Sequence, residues 1–129
     1  MINYTKSSRS MHIGSAQGTR YVARISRSAD TSLDTVAEEI SIATSLSYPD
    51  VLAALKAFEL FVGNHIMSGS AVKFGTLGSF IPKIQSKAEE TLDNVSDNSI
   101  KRITCRFFPS VTFKNKMKTC KVNLVATQQ

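Results

Sequence analysis

Apolar residues recur along this chain in two rhythms, and the change from one to the other divides it. Between residues 32 and 46 the period is close to 3.6. Leu33, Val36, Ala37, Ile40 and then Ala43 or Thr44 form one stripe, which predicts an amphipathic helix. Thr31 with Asp34 three residues on fits a capping box, and Asp34, Glu38 and Glu39 suit a helix N-terminus. Ser47-Tyr48-Pro49-Asp50 then restarts a helix: Ser47 caps, and Pro49 is tolerated in a first turn that does not use its missing N–H. This second helix is expected to run to about Met67 and to stop at Ser68-Gly69. Val51, Leu55, Phe58, Val62 and Ile66 make one row, and Leu52, Ala54 and Phe61 widen it. A helix apolar over so much of its circumference must be covered on more than one side. The short helix before it is not enough, so a sheet is expected on one face and a second subunit on another.

From residue 71 the period drops to two. Residues 71–74 predict a strand, 75–78 a tight glycine turn and 79–84 a second strand. Pro82 cannot donate to a ladder, so the strand is expected to be an edge there or to leave the sheet. Residues 85–100, QSKAEETLDNVSDNSI, have no clear period and predict a loop or flexible extension. Residues 101–108 resume a strand, with Ile103, Cys105 and Phe107 on one side and Lys101 and Arg106 near the other. Ser110 caps a short helix over 111–118, with Val111, Phe113 and Met117 inward and Lys114 and Lys118 outward. The last nine residues, KVNLVATQQ, either add a short strand or fray. At the other end, 2–5 and 21–25 are strand-like patches, with Gly14 and Gly18 marking a loop between them. They either pair as a hairpin or add edges to a sheet made elsewhere. The organisation expected is a basic N-terminal extension over 1–30 and one globular unit over 31–129.

Charge is distributed unevenly. Residues 1–29 hold Lys6, Arg9, Arg20, Arg24 and Arg27 and no acid. Residues 101–129 hold Lys101, Arg102, Arg106, Lys114, Lys116, Lys118 and Lys121, again with no acid. All ten acids fall between, on a chain of net charge +6. Basic ends of this kind point to a polyanion, nucleic acid before membrane. A run of about 18 apolar residues is absent, as is an apolar stretch of signal-peptide length, so a cytoplasmic location is expected. Cys105 and Cys120 are then reduced thiols.

Catalytic chemistry finds little support. His12 and His65 are isolated, and two cysteines 15 residues apart make no zinc site. Gly75-x-x-Gly78 opens no helix and is no phosphate loop. Glu38 and Glu39 are adjacent on a helix and point to different sectors. No enzyme activity, metal, cofactor or small-molecule substrate is expected.

At VKFGTLGSF, residues 72–80, the sequence resembles the bacterial histone-like HU/IHF family and its V-x-L-x-G-F-G-T-F signature. Val72, Phe74, Gly78 and Phe80 match; Thr76, Leu77 and Ser79 depart. DTVAEEI and YPDVLAALKAF resemble that family's two-helix opening, and CRFFPSVTFK its closing strand and helix. Tyr21, Ala23 and Arg24, with Phe107, Pro109 and Ser110, bring it closest to a longer HU-like branch in Bacteroidetes-type bacteria.

The resemblance implies an α+β fold. Two N-terminal helices pack under a small antiparallel sheet with an extended arm, a short C-terminal helix and an extra N-terminal strand. It implies a homodimer in which Leu52, Leu55, Phe58, Phe61, Val62, Phe80 and Phe107 meet the partner. It also implies binding of double-stranded DNA in the bacterial nucleoid, mainly through phosphates. Lys83, Lys87, Lys101, Arg102, Arg106, Lys114, Lys116, Lys118, Arg20, Arg24 and Arg27 are the candidate contacts. The chain departs from the family at the arm: Lys87 stands against Glu89, Glu90, Asp93 and Asp97, with no proline, where the family carries arginines and a wedge proline. The family's F-K-x-G-K lysines fall at Phe108 and Val111. These departures favour an alternative, a dimeric interaction module that kept the fold and lost DNA bending.

Overall fold

A computed structural model describes residues 1–14 and 16–126, and residues 127–129, the end of the segment expected to add a short strand or fray, lie outside them. The chain divides into two units, Met1–Asp30 together with the residues from Lys116 on, and Thr31–Asn115. The residues from Lys116 on are thus grouped with the N-terminal strands.

The first unit is a three-stranded sheet. Strands β1 (Ile2–Ile13) and β2 (Ala16–Ile25) form an antiparallel hairpin, and β6 (Val122–Leu124) adds in parallel along Ile2–Tyr4 of β1. The two short patches read from the sequence are thus the ends of much longer strands. Gly14 turns the hairpin at φ 60°, and Gly18, expected in the loop, lies within β2 opposite Met11.

The second unit begins with α1 (Leu33–Ala43) and α2 (Tyr48–Met67). Ser32, not Thr31, caps α1: its hydroxyl accepts from the Thr35 amide at 3.3 Å, the donor three positions on that a capping side chain reaches. Ser47 caps α2 by accepting from the Asp50 amide at 3.3 Å, with Pro49 in the first turn. Gly69 closes α2 at φ 92°, its amide on the Ile66 carbonyl. The α1 stripe packs inward, with Ala37 buried and Leu33, Val36 and Ile40 half-buried.

Strands β3 (Val72–Lys73), β4 (Gly78–Ser86) and β5 (Ile100–Pro109) form an antiparallel sheet in that order. β3 pairs only with Phe80 and Ser79, so by Pro82 the sheet has narrowed to β4 and β5, where a proline is tolerated. The β3–β4 turn is tight: the Phe74 amide reaches the Gly78 carbonyl at 2.8 Å. A Cβ on Gly78 would lie 2.7 Å from the Phe107 ring, so this position needs a glycine. Helix α3 (Val111–Lys118) follows β5, capped by Ser110, whose hydroxyl accepts from the Phe113 amide at 3.0 Å and donates to the Thr76 carbonyl. Residues two apart on a helix are separated by about 200°. Val111 therefore cannot share the inward side with Phe113, and it is 73% exposed.

The extension over 85–100 is not a loose loop. β4 continues to Ser86, and Leu92–Asn94 and Asp97–Ser99 form 3-10 turns. Ser99 is buried and ties the tip together. Its hydroxyl donates to Glu89 at 2.8 Å and accepts from the Ser96 amide at 3.1 Å, while its carbonyl accepts from the Lys87 amide at 2.8 Å.

Very little apolar surface is buried by one chain. Ala37 and Val51 are the only buried hydrophobic residues among those described. The chain exposes 10857 Å², where a folded monomer of its mass, 14.1 kDa, should expose about 6,700 Å². Phe58, Phe74, Phe80 and Phe107 form a run of ring contacts 5.1–5.4 Å apart from α2 onto the sheet. With Leu77 they line an open apolar concavity of about 570 Å³.

Candidate nucleic-acid interface

Partners across β4 and β5 share a face of the sheet. One face carries Phe80, Pro82 and Ile84 opposite Phe107, Cys105 and Ile103. The other carries Ser79, Ile81, Lys83 and Gln85 opposite Phe108, Arg106, Thr104 and Arg102. A period of two has sorted the ribbon into an apolar side and a side that carries the cations, with Ile81 and Phe108 among them. Ile103, Cys105 and Phe107 fall together as the alternation predicts.

On the cationic side, Lys83, Gln85, Arg102, Thr104, Arg106 and Phe108 line a shallow concavity of about 440 Å³. The Lys83 ammonium lies 5.5 Å from the centre of the Phe108 ring, a cation–π contact that steadies a flexible side chain. No acid occurs on these stretches of β4 and β5. The ion pairs among the described residues, Lys56–Glu59 and Lys87–Glu89, involve none of the three cations. Lys83, Arg102 and Arg106 therefore present uncompensated charge, flanked by the amide of Gln85 and the hydroxyl of Thr104. Point charges with hydrogen-bond donors, and no deep pocket, suit phosphate oxygens along a backbone.

The other predicted contacts are placed differently. Lys101 does not join this face. The register steps from Gln85↔Arg102 to Ser86↔Ile100, which leaves Lys101 as the extra residue of a bulge. Lys87 is held 3.6 Å from Glu89, so its charge is partly neutralised within the acidic tip. Lys114 and Lys118 share one side of α3, and Lys116 points to another sector. Arg20 and Arg24 lie on β2 and Arg27 just beyond it, in the first unit. Sequence reasoning missed Gln85, Thr104 and Phe108 as neighbours of the cations. Their signal was the same period of two.

The proposed interface residues are gathered around the apolar concavity and along α2. Phe58, Phe61 and Phe107 are 49%, 61% and 40% exposed, and Leu52, Leu55, Val62 and Phe80 are half-buried. A second apolar concavity lies between the end of α2 and the sheet, lined by Ile66, Met67, Pro82, Ile84 and Ile103.

Elsewhere in the second unit, the Tyr48 hydroxyl donates to Asp34 at 3.4 Å. Partial burial, then the Asp34 carboxylate and Glu38 near it, raise the phenol above its ordinary range. Among the described residues no cluster of His, Cys, Asp or Glu is placed to hold a metal ion, and no helix is long and apolar enough to cross a membrane.

Comparison with known proteins gives two findings. The family model HU-HIG, described as an HU domain fused to wHTH, Ig or glycine-rich motif, matches residues 1–123. A solved structure from Bacteroides vulgatus ATCC 8482, named as a candidate bacterial DNA-binding protein, has a similar fold, with a TM-score of 0.68 at 8% identity. The match covers 96% of this chain and 48% of that one, so the chain spans about half the length of that protein. No curated protein matches the sequence.

Proposed function

Since the chain belongs to the HU-HIG family, we propose that it is a histone-like protein that binds double-stranded DNA as a homodimer, with little sequence preference. The observation that carries this reading is the cationic side of the β4–β5 ribbon, where Lys83, Arg102 and Arg106 stand together without a carboxylate. Three such charges per protomer give six in a dimer. If all six displace counterions, log K should fall against log salt with a slope of about −5. The name given to the Bacteroides vulgatus fold neighbour is consistent with this reading.

The homodimer rests on the apolar side of the same ribbon. Phe58, Phe74, Leu77, Phe80 and Phe107 surround a concavity that one chain leaves open, and a twofold partner presenting the same residues would fill it. Such a dimer has a nucleoid-architectural role in the bacterial cytoplasm and no catalytic one. A specific observation favours a second reading, an interaction module: the arm tip is an ordered acidic knot, which a phosphate backbone would repel.

The test is fluorescence anisotropy of a labelled duplex of about 30 bp, beside nicked and four-way-junction versions, across a salt series. A steep linear loss of affinity with log salt supports the reading, and tighter binding to distorted DNA adds the architectural role. A protein shown to be dimeric that binds no DNA at low salt overturns it in favour of the interaction module.

A further inference from the structure

The first unit holds a charged surface of its own, made by residues other than those of the β4–β5 ribbon. β6 supports β1 only along Ile2–Tyr4. From residue 5 outward, β1 and β2 continue as a two-stranded ribbon, which is marginal on its own in water. An ordinary hairpin of this length would hide an apolar face. This one carries Thr5, Ser7 and Arg9 opposite Arg24, Val22 and Arg20 on one face, and every one of these except Thr5, Ser7 and Val22 is exposed.

Arg9 and Arg20 are direct cross-strand partners. Like charges in that position repel, and residues 1–29 hold no acid to offset them. Where β6 ends, a concavity of about 660 Å³ is lined by Thr5, Lys6, Ser7, Arg24 and Ser26, with Val125 and Ala126 as its apolar part. It offers hydroxyls and cations with no carboxylate, which is the chemistry that takes phosphate oxygens. Strands about 5 Å apart make a ribbon narrow enough for a major groove about 12 Å wide.

We propose that the β1–β2 ribbon is a second duplex-binding element, with Arg9, Arg20 and Arg24 on one face neutralising phosphates. This rests on the DNA-binding reading but on different residues, so the two can fail separately. A repelling arginine pair that costs the free protein stability is recovered when a polyanion lies against it.

The experiment compares the wild type with R9Q/R20Q/R24Q, R102Q/R106Q and, as a control, K56Q, by duplex anisotropy across a salt series and by Tm without DNA. The ribbon variant should weaken binding, with a slope less negative by about 2.7 for each protomer that no longer neutralises three phosphates. Its Tm without DNA should be no lower than wild type, because repulsion has been relieved. Should the triple variant unfold early, R9Q alone is measured, with a slope change of about 0.9 per protomer expected. A ribbon variant with wild-type affinity and slope, beside a weakened R102Q/R106Q, overturns the proposal and leaves the main reading standing. Loss confined to the ribbon variant upholds the proposal and removes the β4–β5 face. A wild type that binds no duplex overturns both.

Discussion

Replacing Phe58 tests whether the open apolar side of the second unit belongs to a second copy. Phe58 touches Phe74 at 5.4 Å and keeps 49% of its surface exposed in one chain. A phenylalanine side chain buries about 200 Å², so about 100 Å² remains to be covered by a partner. At about 25 cal/mol per Å² this is worth about 2.5 kcal/mol per protomer, and about 5 kcal/mol in a twofold dimer. Interfaces return less than the area suggests, so F58A should raise the dimer Kd by up to about three decades. F58D adds an unpaired charge at the same place and should leave monomer or aggregate at all practical concentrations. Sedimentation velocity over a concentration series reads both. F61D is the companion, since Phe61 is 61% exposed and makes no ring contact with the other aromatics. Variants F58D and F61D that both sediment as folded dimers would refute the interface assignment.

Three other perturbations test local features. G78A would press a methyl against the Phe107 ring and the Phe108 carbonyl, and should cost about 1–3 kcal/mol in urea unfolding; a loss within error of zero would show that β4 and β5 can part freely. S99A removes the hydroxyl shared by Glu89 and the Ser96 amide, about 1 kcal/mol for each bond. Amide exchange at 87–99 should speed up while global Tm hardly moves, and unchanged exchange would mean that the knot is not what orders the tip. Tyr48 has a raised phenol pKa in the folded chain, so its contribution is complete below the ordinary phenol range and is lost as pH rises through the folded value. Y48F should therefore lose Tm less steeply than wild type in alkaline solution, and parallel curves would contradict the pairing with Asp34.

What was legible in the sequence was what neighbours in the chain decide. Ser47, Pro49 and Gly69 bound α2 through contacts within three or four residues, and Ser110 caps α3 in the same way. The two sides of β5 follow from alternation, which groups Arg102 with Arg106; that Lys83 joins them is set by the register with β4. Illegible features came from partners far away or from one-residue irregularities. β1 is Ser-rich with hardly any apolar alternation, and its twelve-residue length comes from pairing with β2. Residues 85–100 have no period because their order comes from the hydrogen bonds of Ser99 rather than from a buried stripe. Lys101 has the parity of Ile103, so alternation itself separates it from Arg106, and the bulge then leaves it unpaired. Thr31 and Ser32 offer the same hydroxyl one residue apart, and only the geometry chooses between them.

The β4–β5 pairing has a consequence for how this chain can change length. Its two sides differ as sharply as a phenylalanine row and an arginine row, and parity alone assigns a residue to one or the other. At one end the pairing is held by the close fit of Gly78 against Phe107, and at the other by the Ser86 hydroxyl on the Ser99 carbonyl at 3.2 Å. Insertion or deletion of a single residue within 79–85 would turn every later side chain over, setting Lys83 on the side of Phe80 and Phe107 and Ile84 on the side of Arg102 and Arg106. Two residues gained or lost together would keep both sides intact. Among relatives of this chain, the ribbon should therefore vary in even steps, with odd ones confined to the bulge at Lys101 and the tip beyond it.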